Sequence, residues 1–375
     1  MPPFVISKDM LGCDLSIRVD GKSIRQVKNY ADDFVTGSSV TVSKALDEIF
    51  PVFGLEVPGL VPGELRTSYE SIHPEGAVNW MRALGKDRFV RFLKTFSNDV
   101  EESITKASES PYLNTLVDGR RLLERLEPAI VDREEVKGLL AESDNGFLRS
   151  FLPEDGNVLP VVKYSHDSAT GRLRVISGPK ILNLSKQHRK VLKSRFRKGT
   201  VAMIDFVSLE PRTALLLTRG ETPLDIYEAM RAETGSELSR AKLKVATLAS
   251  LYGSTHSDPV TMSVVNKFFR TQEIHERHLR ETPMVNLYGR PLMPESDRLR
   301  LSYFIQSTSV DVSLLGFGKI VRKYLEMVPL FVLHDALVVD MENDLFRELS
   351  MSPIEVTIEP LGKYYLSIKR VDEDT

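Results

Sequence analysis

The chain has 375 residues, 50 Lys and Arg against 52 Asp and Glu, a formal net charge of −2 and one cysteine, Cys13. Hydrophobic residues make up 42% and charged residues 27%, an ordinary globular balance that excludes fibrous and disordered classes. No apolar run approaches the ~18–20 residues that span a bilayer, so no membrane partner is expected. A lone cysteine supports neither an internal disulfide nor a cysteine-based metal site. With no secretory leader in MPPFVISKDMLGCDLS, a reducing, cytoplasmic setting is expected.

In chain order, residues 1–65 mix short apolar runs with Gly and Pro, as in VFGLEVPGLVPGEL. They read as irregular, loop-rich packing of unassigned role. From 66 to about 150 the pattern is helical. WMRALGKDRFVRFLKTF and LVDGRRLLERLEPAI carry apolar residues at three- and four-residue spacing, and VDREEVKGLLAE opens with acids. Past 157 come a strand-like VLPVVKYS, a basic segment, the strand TVAMIDFVSL and a helical block over about 224–282. A hairpin-like VPLFVLHDALVVDM and the strand-like IEVTIE and YYLSIK follow. The expected class is α+β, with strands and helices out of strict alternation.

The near-neutral net charge conceals an uneven distribution. Between Ser168 and Ile204 there is no Asp or Glu, while Arg172, Lys186, Arg189, Lys190 and several further cations fall there. A solvated basic face is the plain reading of such a run. The complete lack of acids also suits contact with a phosphate backbone.

Two acids stand at the ends of apolar strands. TVAMIDFVSLEPR runs into Asp205 and then supplies Glu210 and Arg212, and VPLFVLHDALVVD puts His334 and Asp335 at the tip of a turn. If the strands share a sheet, Asp205 and Asp335 face each other, and two close carboxylates repel unless cations lie between them. Turn-forming and capping roles are the alternative for each motif alone.

The third element is SRAKLKVATLASLYGS. On a helix Arg240, Lys244, Leu248 and Tyr252 form one gently rotating stripe, two cations followed by an apolar group and a ring. That order suits an anionic tail at one end and a flat group at the other, as in a nucleoside triphosphate. An amphipathic helix with snorkelling cations is the alternative.

Together these motifs resemble family A DNA polymerases, the bacterial DNA polymerase I-like group. Asp205, Glu210 and Arg212 match D-x-x-x-x-E-x-R; Arg240, Lys244, Tyr252 and Gly253 match the following helix motif; His334 and Asp335 match H-D. Thr170-Gly171-Arg172, Asp225-Ile226-Tyr227, NLYGRPLMPE, and Gln306 with Asp311 in IQSTSVD resemble further segments, in family order, over about 165–370.

The resemblance implies a right-hand architecture of antiparallel palm sheet, helical fingers and helical thumb. The corresponding ranges are a 1–65 segment of unknown role, a thumb-like 66–165, palm 166–223, fingers 224–285 and palm 286–375. It implies primer-dependent, template-directed DNA synthesis from dNTPs with two Mg²⁺ ions. Asp205 and Asp335 would be the metal ligands, and Lys244 a catalytic proton donor. Arg240, Lys244, Leu248, Tyr252 and Glu210 would bind nucleotide, Glu210 by excluding a ribose 2′-hydroxyl. Arg172, Arg212, Gln306 and His334 would contact DNA.

The chain departs from the family pattern at Leu248, where a ring is usual, at Ala336 after H-D, at Ser302 before Gln306, and at Pro211. Leucine at that place occurs in some viral members, so a compact phage-type protein is expected. No exonuclease domain is expected. A separate exonuclease, helicase-primase or processivity factor would then be a partner. A single-subunit RNA polymerase and an inactive, DNA-binding polymerase-like subunit are the competing readings. Glu210 opposes the first, and the joint presence of Asp205, Asp335, Arg240 and Lys244 opposes the second.

Overall fold

The computed structural model describes residues 3–11, 15–28, 33–37, 46–72, 78–142, 146–166, 168–254 and 258–372. Cys13, on which the redox reading rests, lies outside them. The chain divides into two compact units, Met1–Glu124 and Arg125–Thr375. The division falls inside the helical stretch read from the sequence as 66–165.

The first unit opens with β1 (Phe4–Ile6), α1 (Lys8–Leu11), β2 (Ser16–Asp20), β3 (Ser23–Val27) and β4 (Phe34–Thr36). The strands form one sheet in the order β3-β2-β1-β4, with β1 and β4 parallel. This sheet corrects the loop-rich reading of the N-terminal segment. Strands β1 and β4, of three residues each, are too short to display a period of two. One local signal was present: Gly21-Lys22 joins SIRVD to SIRQV, and Gly21 adopts a left-handed φ of 56° in this two-residue turn.

Helices α2 (Leu46–Ile49), α3 (Gly63–Ile72), α4 (Trp80–Leu84), α5 (Lys86–Ser108) and α6 (Tyr112–Glu124) complete the unit. In α5, Phe89, Leu93, Phe96, Val100, Ile104 and Ala107 are buried, the three- and four-residue spacing of one helix face.

The second unit contains β5 (Ile130–Val131), α7 (Arg133–Glu142), β6 (Lys163–Ser165), β7 (Arg174–Ser177), β8 (Leu192–Lys193) and β9 (Gly199–Phe206). Helices α8 (Leu209–Arg219), α9 (Ile226–Thr234), α10 (Arg240–Leu251), α11 (Pro259–Phe269), α12 (Thr271–His278) and α13 (Arg300–Lys323) follow. The hairpin β10 (Val328–Leu333) and β11 (Ala336–Glu342), α14 (Asn343–Ser350), β12 (Ile354–Ile358) and β13 (Gly362–Arg370) close it. The class is α+β. No helix among the described residues is long and apolar enough to cross a membrane.

The main sheet has the order β10-β11-β9-β13-β12, and every pairing in it is antiparallel. Its central strand β9 buries Ala202, Ile204 and Phe206 on one face, while Met203 and Asp205 point to the other. Phe206 packs against Phe317 of α13 and Tyr364 of β13. A Cβ on Gly316 would stand 2.6 Å from the Phe206 ring, so glycine is what lets α13 pass this close. Helices α8 to α13 gather a second core around Leu215, Met230, Leu243, Phe268, Phe269 and Phe304.

Behind the sheet-to-helix junction lies a buried polar knot. Arg290 Nη2 donates to Asp311 Oδ1 at 2.8 Å, and Asn286 Nδ2 donates to Asp311 Oδ2 at 2.6 Å and Ser307 Oγ at 3.0 Å. A Cβ on Gly171 would meet the Arg290 guanidinium at 2.4 Å, and Gly171 has φ 74°. The segments Thr170–Arg172, Asn286–Arg290 and Gln306–Asp311 thus meet at one place. Arg290→Met would leave the Asp311 carboxylate buried without its cation. It is expected to lower stability by about 3 kcal/mol in urea unfolding, whereas a cost below about 1 kcal/mol would show the pair to be dispensable.

Candidate active site

Asp205 ends the apolar run of β9, where its neighbours across the ladder are Ala336 of β11 and Ser367 of β13. The β10–β11 turn consists of His334 and Asp335, with His334 at a left-handed φ of 51°. Phe206 N donates to the Asp335 carbonyl at 3.1 Å, which ties the hairpin tip to the end of β9. The two acids therefore sit side by side, as the two apolar strand patterns implied. Burial first, and then the Asp335 charge, push the Asp205 carboxyl up to about 7; Lys186, Lys369 and Lys244 oppose that rise.

After β9 the chain turns through Ser208, left-handed at φ 53°, into α8. Glu210 and Pro211 lie in the first turn of this helix. Backbone N–H groups there lack intrahelical acceptors, so Pro211 costs no helical hydrogen bond. Glu210 accepts a hydrogen bond from the Tyr252 hydroxyl and an ion pair from Arg172 Nη2 at 2.9 Å. Burial and the neighbouring Glu210 raise the Tyr252 phenol above its ordinary pKa, so it stays a donor.

Helix α10 starts at a Ser239 cap that accepts from Lys242 N. Lys244, Leu248 and Tyr252 from this helix, with Asp205, Asp335 and Glu210, line one cavity of about 370 Å³. Arg172, Gln306 and His334 line it as well. Gln306 Nε2 donates to Ser302 Oγ at 3.0 Å, so Ser302 orients the glutamine. Desolvation first, and then the Arg172 charge, hold the His334 imidazole below its ordinary pKa.

Two residues stand apart from this gathering. Arg212, expected to contact DNA, is fully buried: Nε donates to Val207 O at 3.2 Å, and the Nη atoms reach Pro223 O at 2.8 Å and Leu224 O at 3.0 Å. It also donates to Thr222 and stacks over Tyr365, so it braces the β9–α8 turn and the 222–224 loop. With no exposed surface, the Arg212 guanidinium cannot reach a DNA groove, and the DNA-contact expectation for Arg212 is corrected accordingly. Arg240 lies at the start of α10, outside the cavity lining, with Nε 2.9 Å from Asp225 Oδ2 and its guanidinium over Tyr227.

Sequence reasoning missed Ser208, Tyr227 and Ser309 as lining residues, and Lys186 and Lys369 as charges acting on Asp205. Lys369 was readable only with the register, because it faces Met203 across β13 and β9.

No protein-family model matches the chain, and no curated protein matches it in sequence. Comparison with solved structures matches 124 chains. Among them is the POL domain of Pol1 from M. smegmatis in complex with DNA primer-template and dNTP, 13% identical with a TM-score of 0.44. The similarity covers 86% of this chain and 63% of that one, so the chain spans less than two thirds of its length.

Proposed function

We propose that the chain is a DNA-directed DNA polymerase of the family A kind, adding dNTPs to a primer on a DNA template by two-metal nucleotidyl transfer. The observation that carries this reading is the single cavity shared by the Asp205–Asp335 pair, the Lys244–Leu248–Tyr252 stripe and Glu210. In right-hand terms residues 166–223 and 286–375 would be the palm, 224–285 the fingers and 66–165 the thumb.

The acid pair fits Mg²⁺. The Asp205 carboxyl is half-buried beside a second acid and lifted to about 7, which a bound cation would reverse. Among the described residues no third His, Cys, Asp or Glu joins the pair as a metal cluster. Two carboxylates leave positions for water and phosphate oxygens, as Mg²⁺ prefers. Bound there, the ions would supply positive charge that activates a primer hydroxyl and neutralises a leaving diphosphate.

The remaining work falls to side chains. Lys244 would hold the triphosphate and give a proton to the leaving oxygen. Leu248 and Tyr252 would bound the base, Leu248 offering an aliphatic surface in place of a ring. Glu210, held by Tyr252 and Arg172, would occupy the space of a ribose 2′-hydroxyl. Arg172, Gln306 and a neutral His334 would hold the primer terminus. Transfer of this kind depends on alignment and charge more than on covalent catalysis.

Primer extension with dNTPs or NTPs on a DNA template tests the reading. Extension with dNTPs supports it; extension only with NTPs would point to an RNA polymerase, and none to a binding subunit. Primer incubated without nucleotides is expected to stay intact, and its shortening would reveal a proofreading exonuclease activity and remove that part of the reading. Glu210→Ala is expected to raise the preference for ribonucleotides by about 10²-fold, read as the ratio of kcat/KM for NTP and dNTP. An unchanged ratio would remove Glu210 from sugar selection.

A further inference from the structure

A second cavity, also of about 370 Å³, opens on the same face of the main sheet and is lined largely by cations. Its floor includes Met203, two residues before Asp205 on β9, and Lys369, which faces Met203 from β13. One wall is the 3₁₀ turn Lys186–Val191. With about three residues per turn, Lys186 and Arg189 lie on one side of it. The lining also holds one acid, Asp372.

Some of the cations already have partners. Lys190 pairs with Glu135 at 3.4 Å, and the Arg370 guanidinium stands over the Phe346 ring. Lys186 and Lys369 form no close ion pair among the described residues and act on Asp205 only through space. Arg189 Nη1 donates to Met203 Sδ at 3.3 Å, and its buried Nε has no acceptor among the described residues. Three cations thus converge on one space whose lining holds a single acid, Asp372, an excess of positive charge that favours a compact, multiply charged anion.

We propose that Lys186, Arg189 and Lys369 form the receiving site for inorganic diphosphate released by transfer at Asp205 and Asp335. This rests on the polymerase reading above. The sheet order β10-β11-β9-β13 supplies the direction: His334 and Asp335 lie on one side of β9 and Lys369 on the other. In the transfer, the primer 3′-oxygen bonds to the α-phosphorus as the bond from that phosphorus to the α,β-bridging oxygen breaks. The bridging oxygen leaves with the bonding pair, takes a proton from Lys244, and the hydroxyl proton passes to solvent. Attacking and leaving oxygens lie roughly in line, so a primer end on the hairpin side sends the diphosphate toward β13. A duplex backbone, by contrast, presents single charges spaced along a line and is met by cations strung along a surface.

Calorimetric titration of the full chain with inorganic pyrophosphate in Mg²⁺ buffer tests the site. The double variant Lys186→Met/Lys369→Met is expected to bind it at least about tenfold more weakly, with an unchanged melting midpoint because both side chains are exposed. Inhibition of primer extension by pyrophosphate is expected to need about tenfold more of it. A non-hydrolysable dNTP is expected to lose less than about threefold; an equal loss would assign the cations to the incoming triphosphate and overturn the proposal. Weaker primer-template binding with pyrophosphate affinity intact would assign them to DNA and overturn it too. The two readings fail separately. Absent extension with variant-sensitive pyrophosphate binding sinks the polymerase alone, and normal extension with variant-insensitive binding sinks the receiving site alone.

Discussion

Asp335→Ala is expected to slow dNTP incorporation by about 10³-fold or more while leaving the fold and primer-template binding in place. The side chain stands exposed at the tip of the β10–β11 hairpin, and its carbonyl, which accepts from Phe206 N, survives the substitution. A large loss of stability would therefore be unexpected. DNA affinity is expected to hold or rise slightly, since a carboxylate in an anion-binding groove opposes phosphate. Asp205→Asn should be comparably slow. The double variant should be no slower than the worse single one, because paired ligands act as a unit. Single-turnover incorporation on a primer-template measures all three. A rate within about tenfold of wild type for Asp335→Ala would sink the two-carboxylate mechanism.

The parts of the site that were legible share a physical reason. The runs VPLFVL and ALVVD read as buried strands, and the turn residues between them placed His334 and Asp335 at a tip. The four-residue spacing from Lys244 to Tyr252 placed three side chains on one helical face, all now in one cavity. What escaped depended on partners far away in the chain. Arg212 carries a guanidinium like any surface arginine, and only the carbonyls of Val207, Pro223 and Leu224 draw it inside. The N-terminal strands β1 and β4 were too short for a pattern to emerge, although the Gly21-Lys22 turn marked the β2–β3 hairpin. Gly171, Arg290 and Asp311 looked like separate fragments, whereas the guanidinium of Arg290 passes where a Gly171 side chain would be and ends on the Asp311 carboxylate. The cation-lined cavity needed both the β9–β13 register and the fold of the acid-free segment. Its signal in the sequence was compositional only.

Asp205→Asn is expected to stabilise the metal-free protein at pH 8 and to remove a pH dependence that wild type shows. The folded protein holds this carboxyl near 7, well above its ordinary value of 3.8, because burial and Asp335 both disfavour the charge. A raised pKa makes the group's contribution to stability fully present below the unfolded value, lost as pH rises through the folded one. Between about pH 4 and pH 8 the metal-free wild type should lose on the order of 2–4 kcal/mol relative to the asparagine variant. For a unit of this size that is about 5–12 °C in melting midpoint. His334, with its lowered pKa, titrates in the opposite sense over part of the same window, but it is common to both proteins and cancels in the difference. Mg²⁺ should act on the charged form, so it should raise the wild-type midpoint most at high pH and leave Asp205→Asn nearly unmoved. Parallel melting curves at pH 5 and 8, with and without Mg²⁺, separate these terms. If wild type and Asp205→Asn melted with the same pH profile, the half-buried carboxyl would carry no stored repulsion. A Mg²⁺ shift equal in both proteins would place the cation elsewhere.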